Sequence, residues 1–93
     1  MTLNEAVLGQ EYVVTGVDTG DDEDMKNFLF SLGCYSGEKI TVVDKKRNLV
    51  VAIKDARYNI DPELAGAITI WSLSERLAYQ FMPDIFSQAV SHK

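Results

Sequence analysis

The side chains able to carry chemistry in this 93-residue chain are few: one cysteine, Cys34, one histidine, His92, and an acidic run, Asp21-Asp22-Glu23-Asp24. Nucleophilic or acid–base catalysis needs a reacting group and its partner within reach of one another. No motif sets Cys34 or His92 beside such a partner, and His92 stands one residue from the end, where chains are usually loosely held. Cys34 reads as a small, half-buried apolar residue rather than a reactive thiol. The acidic run lacks the alternating ligands and central glycine of a calcium-binding loop. It stands directly before a helical pattern, where a carboxylate accepts hydrogen bonds from unpaired amides and suits the positive end of the helix dipole. A closed zinc or iron site is not expected from this composition. The glycines form no phosphate-binding loop either, because the G-x-x-x-x-G-K-[ST] pattern is missing. The expectation is a chain with no catalytic, cofactor or metal residues, acting through its surface.

Two segments are candidates for that surface. The first is Gly33-Cys34-Tyr35-Ser36-Gly37, a glycine-bracketed elbow in which Tyr35 is an aromatic at a loop tip, able either to anchor an interface or to cover one end of the core. Cys34, Tyr35 and Ser36 are its candidate contact residues. The second is Lys45-Lys46-Arg47, a basic tip that solubilises a hairpin and is also placed to meet an acidic surface.

The elements that must position these segments follow from periodicity. Tyr12 to Val17 reads as a strand rich in aromatic and β-branched residues, with Gly16 marking a bulge or sharp bend. Met25, Phe28, Leu29 and Leu32 have the i, i+3, i+4, i+7 spacing of one helix face. Gly33 can end that helix and Gly37 can turn the chain into the next strand, both by adopting positive φ. Residues 38–44 and 49–54 read as a hairpin, with Asn48 supplying the left-handed residue of its turn. Arg57 to Ile60 is a fourth strand, Asp61-Pro62-Glu63-Leu64-Ala65 one helical turn capped by Asp61, and Ala67 to Trp71 a fifth strand. Five short strands with one helix between the first and second fit a small, strongly bent barrel better than a parallel sheet, which needs helical crossovers throughout. Ser72-Leu73-Ser74-Glu75 has capping-box spacing, and Leu73, Leu77, Phe81, Ile85 and Phe86 mark an apolar helical stripe interrupted at Pro83. The expected organisation is one barrel domain, residues 1–72, and a helical tail, 73–93, whose stripe packs back on the barrel or docks elsewhere.

Bulk properties agree with a single small domain, since a chain of this length buries about 60–65% of its unfolded surface and cannot feed two cores. With 46% hydrophobic and 25% charged residues the composition is that of an ordinary globular protein. A net charge of −5 argues against nucleic-acid binding, which draws on Lys and Arg to neutralise phosphates. The charge is uneven: residues 1–38 hold eight acids and one base, residues 39–57 six bases and two acids. The longest fully apolar run is Leu49 to Ile53, so neither a signal peptide nor a membrane-spanning helix is expected. A lone cysteine fits the reducing cytoplasm.

Four segments in this order resemble the FeoA family of small cytoplasmic accessory proteins of bacterial ferrous iron uptake. They are Leu8-Gly9-Gln10-Glu11-Tyr12-Val13-Val14, Phe28-Leu29-Phe30-Ser31-Leu32-Gly33, Ser36-Gly37-Glu38-Lys39-Ile40-Thr41-Val42 and Ile60-Asp61-Pro62-Glu63-Leu64-Ala65-Gly66-Ala67-Ile68-Thr69-Ile70. The resemblance covers about residues 2–71 and implies an SH3-like barrel. It also implies a non-catalytic role as a regulator or assembly partner of FeoB, the membrane ferrous iron transporter, met at its cytoplasmic G-protein part. Two departures stand out: Ser36 replaces a common proline, and the tip at Lys45 to Asn48 is shorter than in many members. A related SH3-like domain closes the iron-dependent repressors. The resemblance therefore also admits a metal-sensing domain, in which Asp21 to Asp24 would bind ferrous iron weakly.

Overall fold

Five strands form where β-branched and aromatic residues cluster: β1 (Glu11–Val17), β2 (Lys39–Lys45), β3 (Leu49–Ile53), β4 (Ala56–Ile60) and β5 (Ile68–Ser72). They make one antiparallel sheet in the order β4-β3-β2-β1-β5, which brings the first and last strands side by side. This is the mainly-β, five-stranded architecture expected from the sequence. The computed structural model describes residues 1–73, so the expected tail helix, apart from Leu73, lies outside the described residues.

Two helices punctuate the sheet. Helix α1 (Glu23–Ser31) joins β1 to β2, and the Asp22 carboxylate accepts from the Met25 amide at 2.9 Å. Helix α2 (Pro62–Gly66) precedes β5, with Asp61 accepting from the Leu64 amide at 2.8 Å and Pro62 at the first turn. Each such cap is worth about 1 kcal/mol. A 3-10 turn at Leu3–Glu5, not anticipated from the sequence, puts Leu3 fully inside the core.

Alternation along the strands builds that core. Tyr12 and Val14, Ile40 and Val42, Leu49, Val51 and Ile53, and Ile68 and Ile70 all point inward and join Leu3, Leu29 and Ile60 in one cluster. Each of these larger aliphatic side chains contributes about 1.5–3 kcal/mol by leaving water. The apolar stripe of α1 is only partly used: Leu29 is buried, Met25 and Leu32 pack against the core, but Phe28 is 47% exposed. The helix is seated by its Leu29 side, and Phe28 lies past the edge of that contact.

Two irregularities bend the sheet. The β1–β5 register shifts between Val14 and Gly16, as Gly16 suggested, and the Thr69 hydroxyl donates to the Gly16 carbonyl at 3.0 Å while the Thr15 hydroxyl donates to Thr69 Oγ1 at 2.9 Å. A second shift, between Val42 and Asp44, curls β2 over β3. The turns differ from expectation in one respect. Asn48 does not take the left-handed conformation; Lys54, between β3 and β4, does, with φ +56°. A three-residue tip, in which the Lys46 amide donates to the Asn48 carbonyl at 3.0 Å, closes β2–β3 without it. At the far side, the Ile70 amide donates to the Met1 carbonyl at 2.9 Å and Thr2 bridges Thr69, so the N-terminus lies along the outer edge of β5.

Candidate functional site

The elbow is shaped by how α1 stops. The Gly33 amide donates to the Phe30 carbonyl at 3.0 Å and the Cys34 amide to the Leu29 carbonyl at 3.1 Å, the paired bonds of a Schellman ending, with Gly33 at φ +98°. Gly37, at φ +96°, then donates to the Val14 carbonyl at 2.7 Å, and the Val14 amide donates to the Glu38 carbonyl at 2.8 Å. The elbow is therefore fastened at both ends, to its helix and to β1.

Between those fastenings, neighbouring side chains have opposite fates. Cys34 is 1% exposed, fully in the core rather than half-buried, and burial pushes its thiol up to about 11. It shapes the elbow from beneath and presents no contact surface. Tyr35 is 52% exposed, and Ser36 is exposed beside it. The Tyr35 ring lies against that of Phe30, with centroids 5.3 Å apart and planes 11° from parallel, and the Lys26 ammonium stands 6.0 Å from the Phe30 centroid. An open groove of about 520 Å³ runs from this stack to the β3–β4 turn, lined by Phe30, Leu32, Tyr35, Ile53, Lys54 and Tyr58. Lys54 also reaches Glu38 at 3.7 Å, a weak pair because the lysine is largely solvated.

The basic tip is a separate place. Strand β2 begins at the elbow and ends at Lys45, which at about 3.3 Å per residue puts the two candidates roughly 20 Å apart. Lys45, Lys46 and Arg47 are all exposed, but the Lys45 ammonium donates to the Asn4 carbonyl, leaving Lys46 and Arg47 to project. Phe30, Lys54 and Tyr58 were missed as site residues. Phe30 falls outside the apolar spacing of its helix, a signal in itself, whereas Lys54 and Tyr58 reach the groove only through the β3–β4 hairpin.

The acidic run does not gather into a site. Asp22 is engaged as a helix cap, and among the described residues no three His, Cys, Asp or Glu side chains stand together as a group able to hold a metal ion. Among those residues, too, no helix is long and apolar enough to cross a membrane.

A family model described as the FeoA domain matches residues 1–70. The chain belongs to the FeoA domain family. This FeoA chain is similar to the zinc-complexed FeoA of Stenotrophomonas maltophilia, described as a prokaryotic SH3 domain protein linked to activation of ferrous iron transport. The TM-score is 0.71 and the identity 26%, over 76% of this chain and 89% of that one. The FeoA protein of Chlorobium tepidum matches with a TM-score of 0.69 and 24% identity, over 78% of this chain and 70% of that one. IdeR of T. acidophilum matches with a TM-score of 0.70 and 17% identity, over 77% of this chain and 33% of that one. The last two likenesses concern the fold alone. No curated protein sequence matches the chain. The FeoA family is associated with ferrous iron transport, and its fold is the SH3-like one expected from the sequence.

Proposed function

We propose that this FeoA chain is a non-catalytic accessory protein of ferrous iron uptake that docks, in the cytoplasm, on the cytoplasmic part of a FeoB-like transporter and alters its gating or nucleotide cycle. The observation that carries this reading is the family match over residues 1–70, joined to an exposed Tyr35 on a fastened elbow, stacked on the half-buried Phe30 of α1. Paired rings held before binding lose little conformational entropy when covered, and aromatic anchors of this kind dominate interface energetics. The elbow is therefore the contact, and the chemistry of iron transport and nucleotide hydrolysis stays on the partner.

Pull-down of the tagged full chain with a FeoB-like transporter tests the reading. Tyr35→Ala and Phe30→Ala are each expected to weaken capture by about 10-fold or more, the scale of a truncated interface anchor. Ser36→Ala is expected to have a smaller effect. Undiminished capture by both aromatic variants would remove the elbow as the docking face.

A further inference from the structure

Phe28 holds an apolar position in the spacing of α1 and is nonetheless 47% exposed. A single exposed ring means little by itself. This one lines an open groove of about 440 Å³ between the first turns of α1 and α2, together with the half-buried Met25 and Leu64. Four carboxylates line the same groove, Asp22 and Asp24 at the start of α1 and Asp61 and Glu63 at the start of α2, and all four are exposed. Among the described residues no basic side chain lines it.

Each acid has a local reason to be there, since Asp22 and Asp61 cap the two helices and Asp24 and Glu63 stand in their first turns. Capping does not account for the charge left over. A helix N-terminus is equivalent to about +0.5 charge, so the two ends offset about one carboxylate of the four, and about three negative charges remain beside an apolar surface. The chain's own cations are engaged elsewhere: Lys26, the one basic residue of α1, stands 6.0 Å from the Phe30 centroid, and the Lys45 ammonium donates to the Asn4 carbonyl. A purely apolar partner would strip water from these carboxylates and leave them unpaired. A bare cation would leave Phe28, Met25 and Leu64 in water, and among the described residues no three acids stand together as a group able to hold a metal ion. A segment that brings an apolar side chain flanked by lysine or arginine satisfies both parts of the groove. We propose that the groove docks a basic amphipathic peptide segment of a partner protein, its apolar side chain against Phe28 and its cations paired with Asp24 and Glu63. Phe28 and Phe30 are about 200° apart around the helix, so this face is separate from the Tyr35 stack and stands whatever the elbow meets.

NMR titration of the isotope-labelled full chain with a synthetic peptide of Lys and Leu in helical spacing is the test. Amide signals are expected to move along the first turns of α1 and α2, and the same peptide with Glu in place of Lys should leave them still. Phe28→Ser keeps every charge at a position already half in water, so the fold is retained while binding weakens about 10-fold. Asp24→Asn combined with Glu63→Gln should weaken binding and flatten its salt dependence. Unmoved groove amides would overturn the proposal. So would shifts spread over the whole surface, the mark of an adventitious polycation on an acidic protein. Undiminished binding by Phe28→Ser, or spermine binding as tightly as the peptide, would overturn it too, because the apolar contact would then be idle. Groove shifts that follow protein concentration without peptide would also count against it, since a second copy, through its Lys46 and Arg47, would be the occupant. Should a variant fail to fold, the shift map and the two control ligands on the unmodified chain decide the matter alone.

Discussion

Cys34 and Tyr35 are adjacent in sequence and differ in every physical respect. The thiol is in the core, where desolvation disfavours its anion and pushes its titration up from the ordinary 9.0 to about 11. Because the folded value lies above the unfolded one, the unfolded chain loses this proton first as pH rises. The resulting stability is complete below about pH 9 and is lost progressively towards pH 11. Denaturant titrations of the parent should therefore show stability falling over that window, with Cys34→Ala showing a shallower fall. At neutral pH the native thiol should resist an aromatic disulfide reagent that labels the denatured chain readily; rapid native labelling would contradict the burial. Residue type alone announced neither fate. Cysteine is small and apolar enough for either setting, and only the direction of the chain after the Schellman ending decides which of the two side chains goes in.

At the scale of elements, the elbow relies on two left-handed glycines that are not equivalent. A Cβ on Gly33 would meet Ile53 Cγ2 at 3.3 Å, whereas one on Gly37 would meet nothing within 4 Å. Both alanine substitutions carry the backbone penalty of positive φ, roughly 1–2 kcal/mol, and Gly33→Ala adds crowding against β3. Urea unfolding should rank Gly33→Ala below Gly37→Ala, and both below the parent; equal stabilities would mean that Ile53 yields freely. The strands, both helices, their aspartate caps and the Gly16 bend were all legible in the sequence, because each has a local cause: alternation, capping chemistry or a missing Cβ. What could not be read there depends on long-range packing. Phe28 is apolar at a helical spacing yet stays outside, because only contact with the sheet decides how wide a stripe is covered. The left-handed turn residue was sought at Asn48, the better intrinsic candidate, but a three-residue tip satisfied that hairpin and the tighter β3–β4 turn imposed the conformation on Lys54. Of the candidate site, the elbow was legible and Tyr35 stood out as its loop-tip aromatic, but whether that ring faces outward was not. Its second ring and the far wall of the groove were not, since Tyr58 and Lys54 arrive from another hairpin.

Across the whole molecule, the two signs of charge are separated along the chain, and the two projecting cations of the basic tip stand at the opposite end of β2 from the aromatic pair. Charges on a surface act over about 10 Å at 0.1 M salt, so in the proposed docking the tip would act on approach and orientation more than on a contact at the elbow. On the proposed docking, binding to the cytoplasmic part of a FeoB-like transporter is expected to weaken with added salt. Lys46→Glu with Arg47→Glu should flatten that dependence while leaving the loss caused by Tyr35→Ala intact, as read from association rates at several ionic strengths. A salt response unchanged by the double reversal would take the tip out of the encounter. The sheet's two margins also differ. Among the described residues β4 has a partner strand on one side only, while the outer side of β5 is occupied by Met1 and Thr2. Met1 and Thr2 thus occupy backbone positions along the outer side of β5 that an uncovered edge would offer to another chain.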